Sequence, residues 1–524
     1  MDLNSVLIFI VLISCLSLTI RALISRNNLG WALVSGLILA IAVVLLFLIP
    51  SIAGLVSGSF WGIFFLLPLI GFGRVNKLIF QQRFASAYKT ANLVRWLHPF
   101  DGWWEYPEFI KALDLGQQGK MAEAHQLLNR HQSAKYGMSR HAVALLYLME
   151  AQWQELLIWI EINVPEKVLF HDVNLTVYYL RSLGETGDLN KLLHSLDRAT
   201  PRIEKTGNLV TLNLIRMFVL TFCGEVKEVE KLFDTSLAMY PQKNRQFWLA
   251  TAIMVAGNET AARSVLSGLR DRYSQDRILN SAIAWRLSHS PTHPQQVLTE
   301  SSQQILTRTK SDIQHERKYS GNSFANQKKP LVTYGLISIN LIFFLLEIYF
   351  GGSQNPRTLY FLGALVPQAV LQGQWWRVIT ANFLHYGALH LIMNMLGLYF
   401  FGPFVEFSLG SWRYLLCYFV SGVGAMSIIT FVAQYQDFPF NLLVGASASI
   451  MGLIGVISAI LLWGWRREKA RIAGKRLRIF LIIIVLQIIF DRLIPQVSGL
   501  SHLLGLGLGF ATSSLLLINW QLKE

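Results

Sequence analysis

Of the 524 residues, 53% are hydrophobic and 15% are charged, against roughly 25% charged in an ordinary soluble protein. The length exceeds one ordinary domain, and the balance excludes a purely soluble globular chain in favour of a membrane protein. The formal charge of +15, from 46 basic and 31 acidic side chains, would suit a nucleic-acid binder. The basic residues stand instead where cytoplasmic loops gather them, so the expected environment is a lipid bilayer and no nucleic acid is expected as a partner.

A membrane-crossing helix needs about 20 apolar residues. Such runs lie near 3–20, 30–49 and 53–72. The first begins "MDLNS", with no basic start and no small-residue cleavage site, so it reads as an anchor and not a signal peptide. For the second and third, a re-entrant hairpin around Pro50 is the alternative. Residues 1–73 therefore form an amino-terminal membrane segment of about three helices.

From 74 to 306 no such run occurs. Short turns punctuate helical patterns at "QQGKMAEA", "MEAQWQEL", "GETGDLNKL", "FCGEVKEV" and "VAGNETAA". With Gly119, Ala151, Gly187, Gly224 and Gly257 as markers, the steps are 32, 36, 37 and 33 residues. A period of about 34 is that of tetratricopeptide helix pairs. The region resembles such an array, with an irregular set of helical hairpins as the plainer reading. Stacked helix pairs commonly present a concave face, which implies a peptide or protein partner on the cytoplasmic side. Residues 307–330, "TRTKSDIQHERKYSGNSFANQKKP", are polar without an apolar period and read as a linker.

Six further runs follow, near 331–350, 383–403, 413–433, 442–463, 477–494 and 498–519. Arg21 and Arg26, then Arg74, Lys77, Arg83 and Lys89, then Arg308 to Lys329, and lastly Arg466 to Arg478 mark inner loops. The runs alternate consistently, with the amino terminus outside and the carboxyl terminus inside. The fold class is thus all-α and multi-pass, with a helical soluble domain between membrane segments. Cys15, Cys223 and Cys417 are too scattered for a disulfide framework or a metal motif.

Polar groups at membrane depth are functional candidates by default. In "LHLIMNM", His390 and Asn394 are spaced i, i+4 and share a helical face. They read either as interhelical hydrogen bonds or as two donors aimed at one oxyanion. In "GASAS", Ser447 lies about five residues into its apolar run, or roughly 7 Å at helical rise. It reads either as small-residue packing or as a nucleophile. Ser449, two residues on, faces about 200° away. In "LSHLLGLGLGF", His502 precedes Gly505 and Gly509, a GxxxG pair that permits close helix approach. Packing against Gly445, Ala448, Gly452 and Gly455 would bring His502 to Ser447 as a general base. All four polar groups fall in the outer half of the bundle.

Taken together, these motifs in this order resemble the rhomboid intramembrane serine proteases over roughly the last 200 residues, 331–524. The matching pattern is Trp376–Arg377, His390 with Asn394, then Gly402, Glu406 and Gly410, then Gly445 with Ser447, and finally His502, Gly505 and Gly509. The resemblance implies a six-helix bundle and a Ser447–His502 dyad without a carboxylate. It implies that His390, Asn394 and the Ser447 backbone N–H hold the oxyanion, while Gly445 allows close approach. Trp376 and Arg377 would shape an outer-leaflet loop, and His385 would order the oxyanion region. The implied activity is endopeptidase cleavage of transmembrane segments of other membrane proteins near the outer face, in a bacterial-type cell membrane. Two departures stand out: Ala448 where the family has Gly after the nucleophile, and Met451 where it often has an aromatic ring.

Other chemistries fit less well. The pair His315–Glu316 lacks the second His of a zinc protease, so no metal or cofactor is expected. An aspartyl protease needs two buried carboxylates, and Asp491 is the one Asp near the core, at an outer boundary beside Arg492. The alternative in a different class is a non-catalytic rhomboid-like protein that binds membrane clients, with the repeats as adaptor.

Overall fold

A computed structural model describes residues 3–25, 28–131, 137–206, 208–320, 329–435, 442–493 and 498–521. The chain is an all-α multi-pass membrane protein. Among the described residues no β-strand forms, and the one β-type pairing is an isolated antiparallel bridge between Leu365 and Leu443. Among the described residues, eight helices are long and apolar enough to cross a membrane. Two compact units divide the chain, one ending at Lys310 and the other starting at Ser311.

In the first unit, Leu3–Ser25, Leu29–Leu48 and the long apolar stretch Ala53–Phe80 pack together. Val11, Cys15, Trp31, Ile38, Phe65 and Phe72 form their shared core. Pro50 falls in the turn between two full-length helices, so residues 29–80 form two long helices and not a short re-entrant hairpin. The third stretch runs directly into the following helices, where Val75 and Leu78 pack on Phe84, Ala91 and Ile110. Val94 and Trp103 reach back into the core of Val11, Trp31 and Phe72, and both segments belong to one compact unit.

Five helical hairpins follow, and each turns at one of the five sequence markers. Gly119, Ala151, Gly187, Gly224 and Gly257 all adopt positive φ, between 57° and 100°. A left-handed residue after the last helical turn lets the backbone N–H groups bond the orphaned carbonyls, as when Asp188 donates to Leu183. The repeat is thus a repeat of turn geometry. The array does not stay open. After the fifth hairpin, Ile278 of the Arg277–Ser288 helix packs into the core of the first hairpin. Asn190 of the third binds the backbone of Val297 and Thr299. Between these hairpins Arg286 pairs with Glu185 in full burial, and Arg181 stacks over Trp153 and Trp248.

The polar segment 307–330 is not wholly irregular. Its first part continues the helix Glu300–Tyr319, and residues 321–328 lie outside the described residues. Thr309, Glu316 and Tyr319 are buried along this part, so its buried face is largely polar and shows no apolar period.

The second unit is a helical bundle built around Ser447–Arg466, whose side chains from Ala448 to Leu461 are all buried. It packs against Ala388–Leu409, Ser411–Val432, Arg471–Leu493 and Gly499–Gln521. Leu331–Tyr349 packs outside this centre, on Ala388–Leu409. Its amino-terminal N–H groups are capped by a carboxylate from another helix. Glu406 accepts from the backbone N–H of Val332 and Thr333, at 3.0 and 2.9 Å, and from the Thr333 hydroxyl. An anion at a helix N-terminus also meets the favourable end of the helix dipole. The helix Arg471–Leu493 has 23 residues but is bracketed by Lys475, Arg476 and Arg478 at one end and Asp491 and Arg492 at the other. Those charges set it apart from the eight more apolar helices found among the described residues.

Candidate active site

Ser447 is the first residue of its helix and not the fifth. The residues before its N-cap Ala446 are held out of the helix, because Leu443 exchanges two 2.9 Å hydrogen bonds with Leu365 and Gly445 donates to the Ala381 carbonyl. Gly445 then turns the chain at φ 129°, a conformation open to glycine but not to other residues. The serine hydroxyl therefore sits at a helix N-terminus, where unpaired N–H groups and the helix dipole favour negative charge.

His390 lies directly over Gly445. A β-carbon on Gly445 would stand 2.8 Å from Cε1 and 2.9 Å from Nε2 of His390, and 3.6 Å from the Ser447 hydroxyl oxygen. The absent side chain is what lets imidazole and serine face each other. The tautomer of His390 follows from its partner. The backbone N–H of Tyr386 donates to Nδ1 at 3.3 Å, so Nδ1 is the acceptor and Nε2 carries the proton. That N–H points to the Gly445–Ser447 side. One turn on, the Asn394 side chain is buried and its Nδ2 donor has no partner among the described residues. A buried unpartnered donor is costly and is suited to receive an incoming oxygen.

His385 underlies this region. Its ring meets that of His390 edge to face at 5.2 Å, and its backbone N–H donates to the buried carboxylate of Glu347 at 2.7 Å. Glu347 is the acid within the first helix of the bundle, and its role as a support could not be read from spacing alone.

His502 is the fourth residue of Gly499–Gln521 and is buried. The two glycines after it set its position. A β-carbon on Gly505 would stand 2.1 Å from the Ala448 carbonyl oxygen, and one on Gly509 would stand 2.1 Å from that of Gly452. Gly455 meets the Leu506 carbonyl in the same way. The two helices thus touch backbone to backbone, with Ala448 beside Ser447 and Gly505 one turn from His502. The described side-chain partner of His502 is not Ser447 but Asp491, whose Oδ2 lies 2.8 Å from Nδ1. Sequence reading sets Asp491 aside as a boundary residue. The available signal is its position at the end of one helix, just before the helix that carries His502.

The remaining residues fall into supporting places. Arg377 is buried, donates to the carbonyls of Tyr360 and Ala364 at 2.7 and 2.9 Å, and stacks over the Tyr360 ring. It ties a loop together. Trp376 is half-exposed beside it. Gly402 gives room to Thr333 and to the Tyr414 hydroxyl, and Gly410 turns the chain with φ 82°. Ser449 points the other way from Ser447, toward Gly422 and Asn382. Ala448 is fully buried, and Met451 lies in the bundle core.

Comparison with known proteins matches the Rhomboid domain over residues 372–519. Rhomboid protease GluP of Bacillus subtilis (strain 168) is 35% identical over 204 residues, which is 39% of this chain and 38% of that protein. RHOMBOID-like protein 6, mitochondrial, of Arabidopsis thaliana is 36% identical over 168 residues, 32% of this chain and 52% of that protein. The chain therefore spans between a third and about half of these two relatives. Putative rhomboid protease YdcA of Bacillus subtilis (strain 168) is 34% identical over 146 residues, 28% of this chain and 69% of that protein. By this match over most of a relative's length, the chain belongs to the rhomboid family.

Proposed function

We propose that the protein is an intramembrane serine endopeptidase, with Ser447 as nucleophile and His502 as general base. The observation that carries this reading is the convergence on Gly445: a serine at a helix N-terminus, the protonated Nε2 of His390 above it and, one turn away, the Asn394 Nδ2 donor, which has no partner among the described residues. In this mechanism Ser447 Oγ attacks the scissile carbonyl and its proton passes to Nε2 of His502. The tetrahedral oxyanion is held by His390 Nε2–H, Asn394 Nδ2–H and the backbone N–H of Ser447. The imidazolium then gives its proton to the leaving amine, and water releases the acyl group by the same steps. His502 need not touch Ser447 in the resting protein, since such bonds are often long before substrate binds. Two relatives carry names that support this reading, one a rhomboid protease and one a putative rhomboid protease.

The substrates under this reading are transmembrane segments of other membrane proteins, cut near the outer face, with the loops rich in Lys and Arg inside. The test is cleavage of a reporter transmembrane substrate in liposomes. Ser447→Ala and His502→Ala are expected to abolish cleavage, and Asn394→Ala to lower kcat by about 10²–10³, the cost of one oxyanion donor. Equal cleavage by wild type and Ser447→Ala would remove the serine from the mechanism. Client binding without cleavage by any form would instead favour a non-catalytic rhomboid-like protein.

A further inference from the structure

We propose that Asp491 is a positioning residue for His502, holding the imidazole with its proton on Nδ1 and leaving the Nε2 lone pair free. The proposal rests on His502 being the base in the reading above. The pair is close and dry: Asp491 Oδ2 and His502 Nδ1 are 2.8 Å apart, and the two side chains are 6% and 7% exposed. A carboxylate can only accept a hydrogen bond, so Nδ1 must supply the hydrogen. With Nδ1 so occupied, the nitrogen left to take a proton is Nε2.

The carboxylate is itself held. Gln487, one turn earlier on the same helix, donates from Nε2 to Asp491 Oδ1 at 2.8 Å. Gly499, at the start of the histidine helix, leaves the space that Asp491 occupies, since a β-carbon there would stand 3.3 Å from Asp491 Cβ. Among the described residues, the titratable groups that interact with the His502 ring are Asp491 from Arg471–Leu493 and His390 from Ala388–Leu409. The Ser447–Arg466 helix presents no titratable side chain to it beyond the serine hydroxyl. When the Ser447 proton moves to Nε2, the resulting imidazolium is flanked by the Asp491 carboxylate. Such an arrangement is the orienting part of a serine–histidine–aspartate triad, assembled here from two successive membrane helices.

The experiment uses the full-length protein in lipid nanodiscs, with wild type, Asp491→Asn, Asp491→Ala, Asp491→Glu and Ser447→Ala. Removal of the carboxylate is expected to lower kcat by about tenfold or more, as loss of an orienting partner does, while KM stays unchanged. The acidic limb of the kcat profile should move to lower pH, because the imidazolium loses its counter-charge. Asp491→Glu should recover part of the activity. A second readout does not depend on turnover. In protein labelled with ¹⁵N-histidine, the His502 signals, identified by their loss in His502→Gln, should report a proton on Nδ1. In Asp491→Ala that preference should be lost. Wild-type kcat and pH profile in Asp491→Asn and Asp491→Ala would overturn the proposal, as would an unchanged tautomer. A lowered kcat with an unmoved pH profile and tautomer would assign Asp491 to packing alone and also overturn it. If wild type and Ser447→Ala behave alike, the protease reading fails, and the tautomer still decides whether Asp491 orients His502.

Discussion

Gly445 concentrates the demands placed on the site. It needs φ 129° and it leaves the volume in which His390 stands. Gly445→Ala is therefore expected to displace the imidazole by a large fraction of an ångström and to lower cleavage by about 100-fold, as a small misplacement of reacting groups can. Unchanged thermal unfolding in detergent alongside that loss would separate misplacement from misfolding. Ser449→Ala should leave cleavage near wild type in the same assay, because Ser449 faces Gly422. At this scale much was readable. The i, i+4 spacing of His390 and Asn394 is a property of helix geometry, and opposite facing of Ser447 and Ser449 follows from 100° per residue. Asp491 was not readable, because its contact with His502 depends on how two helices meet across a connection. Ala448 also changed meaning: its carbonyl lies against Gly505, so its identity bears on the fit of two helices as well as on the pocket.

Among the elements, the helix beginning at Ser447 shows where periodicity misleads. The apolar run extends back to 442, yet Gly445 and the Leu365–Leu443 bridge keep residues 442–445 out of the helix, with Ala446 as its N-cap. Hydropathy reports burial and not hydrogen bonding, so it could not place that start. The glycine pattern was more informative. Gly505 and Gly509 were legible as a close-packing face, and they meet the backbone of Ala448 and Gly452. Gly509→Val should force the two helices apart and lower stability by about 1–3 kcal/mol, the usual cost of overpacking, read as a fall in unfolding temperature. In the first unit, Asp172 caps Val173–Thr186 by accepting from Asn174 and Leu175, and it also pairs with His141 at 2.6 Å. Burial works to raise its pKa, but His141 and the two N–H groups outweigh it and hold the carboxyl below its ordinary value. A depressed pKa contributes stability that is fully present above the unfolded value of about 3.9 and is lost as pH falls through the folded one. Asp172→Ala should cost about 1–2 kcal/mol at neutral pH and flatten the acid limb of a pH–stability curve.

For the whole molecule, composition and apolar run length were enough for an all-α multi-pass protein. Run length alone did not show how the middle region ends. Five turns of like geometry suggested an open array, but Ile278 and Asn190 close it through contacts between residues far apart in sequence. Local repeat spacing carries no information about such returns. Hydropathy suggests boundaries at 73/74, 306/307 and 330/331, and the division between compact units falls after Lys310. A deletion of residues 74–306 would strip Val94 and Trp103 from the core they share with Val11, Trp31 and Phe72, whereas a chain starting at Ser311 respects the division. That shorter chain is expected to keep Ser447-dependent cleavage of the reporter, and its failure to do so would assign the first unit a part in the reaction.

The seam between the serine and histidine helices has a mechanical consequence. Where backbone rests on backbone there are no side chains to rotate aside, and separation would strip several contacts at once. These two helices should move as one plank, so a bulky guest has to arrive along a different flank of the bundle. A covalent cross-link spanning the seam at its end remote from Ser447 is accordingly expected to leave turnover in liposomes intact, and a cross-link that stopped cleavage would show that the plank has to split.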